Sequence, residues 1–169
     1  MTNSAAASAF GQWLQSISPK YQLDLTTVSR AGADAGFRSY HRIAAADGRS
    51  FIAMNAEGET PESFASFIKV DGLLRNEAGL NAPEIFEADT DHRFMLLSDL
   101  GRETYLDVLN EDNARELMDR ATTALVAWQK ISRPNVLPAY SREVLQRELE
   151  LFPTCLLYTS PSPRDLSTS

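Results

Sequence analysis

The stretch Gly79–Leu109, GLNAPEIFEADTDHRFMLLSDLGRETYLDVL, decides how the rest of the chain is organised. It predicts a short apolar strand over Ala82–Glu87, a polar turn, and a second strand, Phe94-Met95-Leu96-Leu97. That strand runs into Ser98-Asp99-Leu100-Gly101 and then into helix-forming sequence. Two adjacent strands, a short linker and a helix describe a sheet whose last strand hands the chain to a separate helical region.

Upstream of this stretch the pattern is helix followed by strands. Phe10, Trp13, Leu14 and Ile17 repeat at helical spacing and predict an N-terminal helix that Pro19 should end. Tyr21, Leu23 and Leu25 alternate with polar residues, as a half-buried strand would. A glycine-containing segment, Ser29–Gly36, precedes a strand over Phe37–Ala45, and Asp47-Gly48 then signals a hairpin into Ser50–Asn55. Thr60-Pro61-Glu62 opens a helix well: threonine caps free N–H groups, proline suits the first turn, and glutamate suits the positive helix end. Downstream, Leu117, Ala121, Ala124, Leu125, Trp128 and Ile131 mark a long amphipathic helix, Arg133-Pro134 breaks it, and a further helix starts after Ser141. One helix, five short strands and a helix inserted between the third and fourth strands make an α+β fold with an antiparallel sheet.

Composition narrows the function. Sixteen basic residues against twenty-three acidic ones leave a net charge of −7, without a lysine or arginine cluster, which argues against nucleic acid as a partner. The single cysteine, Cys155, matches no metal-site spacing. Without a signal-like start or a bilayer-length apolar run, the chain is expected to be cytoplasmic, with no membrane partner. Cys155–Ser169, CLLYTSPSPRDLSTS, has eight Ser, Thr or Pro residues in fifteen, and residues 154–169 are expected to be a disordered tail. It resembles read-through at the end of truncated reading frames, which would make it non-native.

The candidate chemistry is in loops and strand ends. Small residues around Gly32–Gly36 would let backbone N–H groups approach phosphates, although on local evidence alone an ordinary surface hairpin is the better account of the segment. Arg38 could neutralise a phosphate or sit exposed, and Tyr40 reads as core. His41 and His92 read as structural, and the carboxylates show no spacing that argues for acid–base work. Neither a nucleophile elbow nor a metal cluster is legible.

These segments together resemble the aminoglycoside phosphotransferase family, and within it the bacterial cell-wall amino-sugar kinases. The residues that carry the resemblance are Ala33–Arg42 (ADAGFRSYHR), Ile52–Asn55, Gly79–Glu84, Phe94–Gly101 with Thr104–Asp107, Leu137–Tyr140 and Arg147–Pro153. The resemblance implies a protein-kinase-like small lobe over 1–97, a linker over 98–110, and the start of a truncated helical large lobe over 111–153. It implies ATP and Mg²⁺ as cofactors, with ATP contacts from Asp34, Ala35, Gly36, Phe37, Arg38, Ile52, Met54, Ser98, Asp99 and Leu100. The Ser98 carbonyl and Leu100 N–H would meet the adenine, and Asp99 would point outward. Met54 stands where such folds usually place a phosphate-pairing lysine.

The partners implied are a nucleotide and a small sugar, N-acetylmuramate or N-acetylglucosamine, with an aminoglycoside acceptor left open. The family's catalytic loop and metal ligands lie further along than these residues reach, so no catalytic or metal residue is assigned and the chain is expected to be inactive alone. Two other readings stand beside this one: a non-catalytic nucleotide- or partner-binding module, and a protein–protein interface built on the apolar faces of 117–131 and 145–152.

Overall fold

The computed structural model describes residues 8–32, 36–137 and 139–152. Helix α1, Ala9–Tyr21, starts at Ser8, whose hydroxyl accepts the Gly11 N–H at 3.1 Å. It does not stop at Pro19. Proline removes its own N–H and crowds the carbonyl four residues back, but Pro19 sits in the last turn, where only Lys20 and Tyr21 follow, and burial of Tyr21 rewards the continuation. Tyr21 is buried, and the single hydrogen of its hydroxyl is shared between the Phe86 carbonyl at 3.0 Å and Glu87 at 2.9 Å. Gln22 then closes the helix in the left-handed region, φ 55°. Consequently Tyr21-Leu23-Leu25 is no strand. Leu23 makes a lone bridge to Ala45, and Leu25–Thr27 form a 3₁₀ turn capped by Asp24, whose carboxylate accepts from the Thr26 N–H at 3.0 Å.

The five strands are β1 (Ser29–Arg30), β2 (Ser39–Ala44), β3 (Ser50–Asn55), β4 (Ile85–Asp89) and β5 (Phe94–Ser98). They form one antiparallel sheet in the order β1-β2-β3-β5-β4. The hairpin at Asp47-Gly48 forms as its residues dictate, with Gly48 at φ 85°. Helix α2, Pro61–Gly72, has Thr60 as its cap, accepting the Ser63 N–H at 3.2 Å, and runs on into a wider π-type turn over Leu73–Glu77. The fourth strand begins three residues later than its apolar pattern suggests, after Pro83, which has no N–H to give a ladder.

Alternation along β3 divides the core in two. Phe51 and Ala53 face α1, where they pack with Leu14, Tyr21, Leu23, Ile43 and Leu96. Met54 faces α2 and packs with Ala56, Phe64, Met95 and Leu97, with Ile52, Phe67 and Ile68 against the same cluster. With a helix on each face, β5 must be apolar throughout, and Phe94–Leu97 are each at most 3% exposed.

Beyond the sheet, the short helix α3 (Tyr105–Val108) is held by Asp107, which accepts from the Thr104 N–H at 2.7 Å. Helix α4 spans Ala114–Lys130 and has no fully buried residue. The chain divides into two compact units between Ile131 and Ser132. In the second, α5 (Arg142–Phe152) begins after Ser141, whose carbonyl accepts from the Leu145 N–H at 3.0 Å. The tail expected over 154–169 lies outside the described residues.

Candidate nucleotide site

The α2 side of the sheet is not covered all the way to the linker. Where α2 ends its coverage, a cavity of about 460 Å³ opens, well within the range of roughly 300–1,000 Å³ usual for small-molecule sites. Ile52, Leu97 and the Phe67 ring supply apolar walls, Tyr40 and Arg42 line it from β2, and Ser98 to Gly101 form its linker edge.

The linker is fastened at Asp99. The Arg42 guanidinium donates to its carboxylate twice, Nε to Oδ2 at 2.5 Å and Nη2 to Oδ1 at 2.9 Å. The Ser50 hydroxyl donates to Oδ2 at 2.7 Å and the Gly101 N–H to Oδ1 at 3.0 Å. Arg42 Nη2 also donates to the Gly101 carbonyl at 2.7 Å, and Gly101 holds φ 104°, a conformation that suits glycine. With side-chain exposures of only 13% and 9%, Arg42 and Asp99 form a largely desolvated, bidentate pair. The guanidinium and the hydroxyl hold the Asp99 carboxyl far below the usual carboxylate range, and Asp99 in turn raises Arg42. Ser98 is tied on the other side: its N–H donates to the Glu84 carbonyl and its hydroxyl accepts from the Glu84 N–H, both at 2.8 Å.

The expectation that Asp99 points outward is therefore wrong. Strand parity gives the reason. Met95 and Leu97 lie on one face of β5, and Asp99, one residue past its end, keeps the same parity, so it turns toward the face that Arg42 and Ser50 also share.

Residues 27–164 match the family model described as the phosphotransferase enzyme family. This chain belongs to that family. The N-acetylmuramate/N-acetylglucosamine kinase of Pseudomonas aeruginosa is 42% identical over 160 residues, covering 90% of this chain and 46% of that protein. The kinase of the same name from Neisseria meningitidis serogroup B is 39% identical over 145 residues, covering 83% and 41%. That of Pseudomonas putida is 40% identical over 127 residues, covering 75% and 37%. The chain thus spans less than half the length of these curated relatives. As a phosphotransferase-family chain, its open five-stranded sheet with one inserted helix is the α+β, kinase-like small lobe that the resemblance implies.

Of the residues singled out in the sequence, Ile52, Ser98, Asp99 and Leu100 come together around the cavity. Asp34 and Ala35 lie outside the described residues. Gly36 is exposed, and Phe37, 79% exposed, lies against Gly58. Met54 is completely buried between the sheet and α2 and does not line the cavity. Arg38 reaches α2 instead. Its Nη2 donates to Ser63 Oγ at 3.2 Å, its Nε lies 3.4 Å from Glu59, and its guanidinium sits 5.4 Å from the centre of the Phe67 ring. Tyr40, Arg42, Phe67 and Pro83 line the cavity without having been assigned to it from sequence. For Tyr40 and Arg42 the signal was present: two residues apart on one strand, they must share a face.

Among the described residues, no three His, Cys, Asp or Glu side chains are grouped to hold a metal ion. No helix among the described residues is long and apolar enough to cross a membrane.

Proposed function

We propose that this chain carries the nucleotide-binding part of an ATP-dependent kinase whose acceptor is an amino sugar of the N-acetylmuramate or N-acetylglucosamine type. The observation that carries the reading is the linker-edged cavity: an apolar slot between Ile52, Leu97 and Phe67, closed on one side by a backbone segment braced in place. An adenine ring needs such a slot, and the linker's carbonyl and N–H groups can recognise its edge without any particular side chain. The names of the relatives supply the acceptor class.

In this reading Ser98, Asp99 and Leu100 hold the base, Ile52 packs on it, and the loop of Asp34 to Arg38 approaches the phosphates. Met54 supports the site from within the core. Residues 1–97 act as the small lobe, 98–110 as the linker and 111–153 as the start of a helical lobe. Mg²⁺ arrives with the nucleotide. In this reading the chain by itself binds nucleotide weakly and does not turn over. The kinase would act in the cytoplasm, where ATP is abundant.

The test is calorimetric titration of the chain with ATP and with adenosine, alongside a sugar-phosphorylation assay. Millimolar binding of both ligands without turnover is expected. A chain that binds neither ligand would remove the reading.

A further inference from the structure

Helix α2 turns Phe64, Phe67 and Ile68 toward the sheet, and the next residue in that row is Asp71. This side of the helix is apolar. β3 offers it Ile52 and Met54, β5 Met95 and Leu97, β4 Ile85, and β2 Tyr40, the one titratable group among them. Asp71 is 8% exposed, and its Oδ1 is enclosed without a hydrogen-bond partner among the described residues. Burial pushes its carboxyl above the usual carboxylate range, with the Arg75 charge pulling the other way. A buried carboxylate oxygen left unpaired is costly, so its presence calls for a reason.

The turn that follows supplies one. Arg75 stands four residues after Asp71, the spacing at which a regular α-helix brings acid and base together. The helix is not regular there. Leu73–Glu77 are wound as a π-type turn, and the Ala78 N–H donates five residues back to the Leu73 carbonyl at 3.0 Å. Single π-type turns inside helices recur at functional sites. Arg75 Nη2 lies instead 3.7 Å from Glu84 Oε2, with side-chain exposures of 32% and 53%. At that separation and exposure the pair holds weakly. Glu84 also braces the linker, since its N–H and carbonyl are the two groups that tie Ser98.

We infer that the end of α2 is a two-position latch in which Asp71 and Glu84 compete for Arg75, and that this structure holds the Glu84 position. In the other position Arg75 turns back to Asp71, and the segment bracing Ser98 loses its side-chain tie to α2. A proton chooses between them. Protonated, Asp71 needs no counter-ion and Arg75 stays with Glu84. Ionised, it is a desolvated charge that draws the guanidinium one turn away. Rising pH therefore moves Arg75 from Glu84 to Asp71 and loosens the linker edge of the cavity. The latch stands on these contacts whether or not the cavity takes a nucleotide.

The experiment is a carbon-detected NMR titration of the 169-residue chain and of D71N, R75M and E84Q, from about pH 4 to about pH 8. It follows the Asp71 carboxyl, the Arg75 guanidinium and the Ser98 amide. Competition moves the Asp71 midpoint in opposite directions: E84Q should lower it and R75M should raise it, each by about half a pH unit or more. The Ser98 amide should shift across the Asp71 midpoint in the unsubstituted chain and hold still there in D71N and R75M. Glu84 is exposed, so E84Q gives the test even where a substitution at Asp71 unfolds the chain. An Asp71 midpoint that E84Q leaves in place would overturn the inference. So would a Ser98 amide that does not follow Asp71, or that still titrates there in D71N.

Discussion

Replacing Arg42 or Asp99 gives the sharpest energetic test of this structure. Asp99→Ala removes a carboxylate that accepts four hydrogen bonds: two from Arg42, one from Ser50 and one from the Gly101 N–H. It leaves the Arg42 guanidinium, 13% exposed, with the Gly101 carbonyl as its remaining partner in this cluster. Uncompensated buried charge of this kind typically costs about 3–5 kcal/mol, far more than the ~0–1 kcal/mol of a surface pair. Taking about 3 kcal/mol for each single variant, independent sites would lose about 6 kcal/mol in Arg42→Ala/Asp99→Ala. The pair predicts only about 4 kcal/mol, a coupling near 2 kcal/mol, because the second substitution removes a charge already orphaned. Urea unfolding followed by circular dichroism measures all four proteins. Losses that add to within about 0.5 kcal/mol, or a single-variant loss under about 1 kcal/mol, would refute the braced linker.

The same carboxylate sets a pH dependence. Its folded value lies below the unfolded one of about 3.9, so its contribution is complete above that pH and disappears as pH falls through the folded value. The stability gap between the unsubstituted protein and Asp99→Ala should therefore be constant above about pH 5 and narrow below about pH 4, measured by urea titration at each pH. Gly101→Ala meets no neighbour within 4 Å but forces an alanine to φ 104°, and should cost about 1–3 kcal/mol in the same assay. Tyr21→Phe removes the hydroxyl whose hydrogen, shared between the Phe86 carbonyl and Glu87, anchors the extended end of α1, and should lower stability by about 1–2 kcal/mol with the far-ultraviolet spectrum unchanged. Met54→Lys tests whether that strand position can hold a cation: with the site fully buried, thermal unfolding should drop by more than about 6 °C, whereas Met54→Leu should stay within about 4 °C.

Legibility varied with the range of the forces involved. Ser50–Asn55 was bounded correctly from sequence because Asp47-Gly48 makes the turn and the apolar pattern starts straight after it. The start of α2 was equally plain, since Thr60 and Pro61 act on the N–H groups within one turn of themselves. Pro19 misled for the converse reason. Its local veto was outweighed by Tyr21 finding a buried place between Phe51 and Phe86, residues thirty and sixty-five positions away. The place of Ser98–Gly101 directly after the last strand was legible, yet the direction of Asp99 was missed although strand parity encodes it. Arg38 could be named as a cation but not paired, because Glu59, Ser63 and Phe67 reach it only once α2 has packed on the sheet.

By itself the sequence determined the order of the elements from β2 onward, the cap of α2, the Asp47-Gly48 turn, and the likeness to amino-sugar kinases, since these depend on neighbours in the chain or on the identity of residues in register. The tertiary structure alone decided which charges meet. Arg42 lies fifty-seven residues from Asp99, and Arg38 twenty-five from Ser63. Such pairs form only when the sheet closes and a helix settles on it, excluding the water that would otherwise make them worth little.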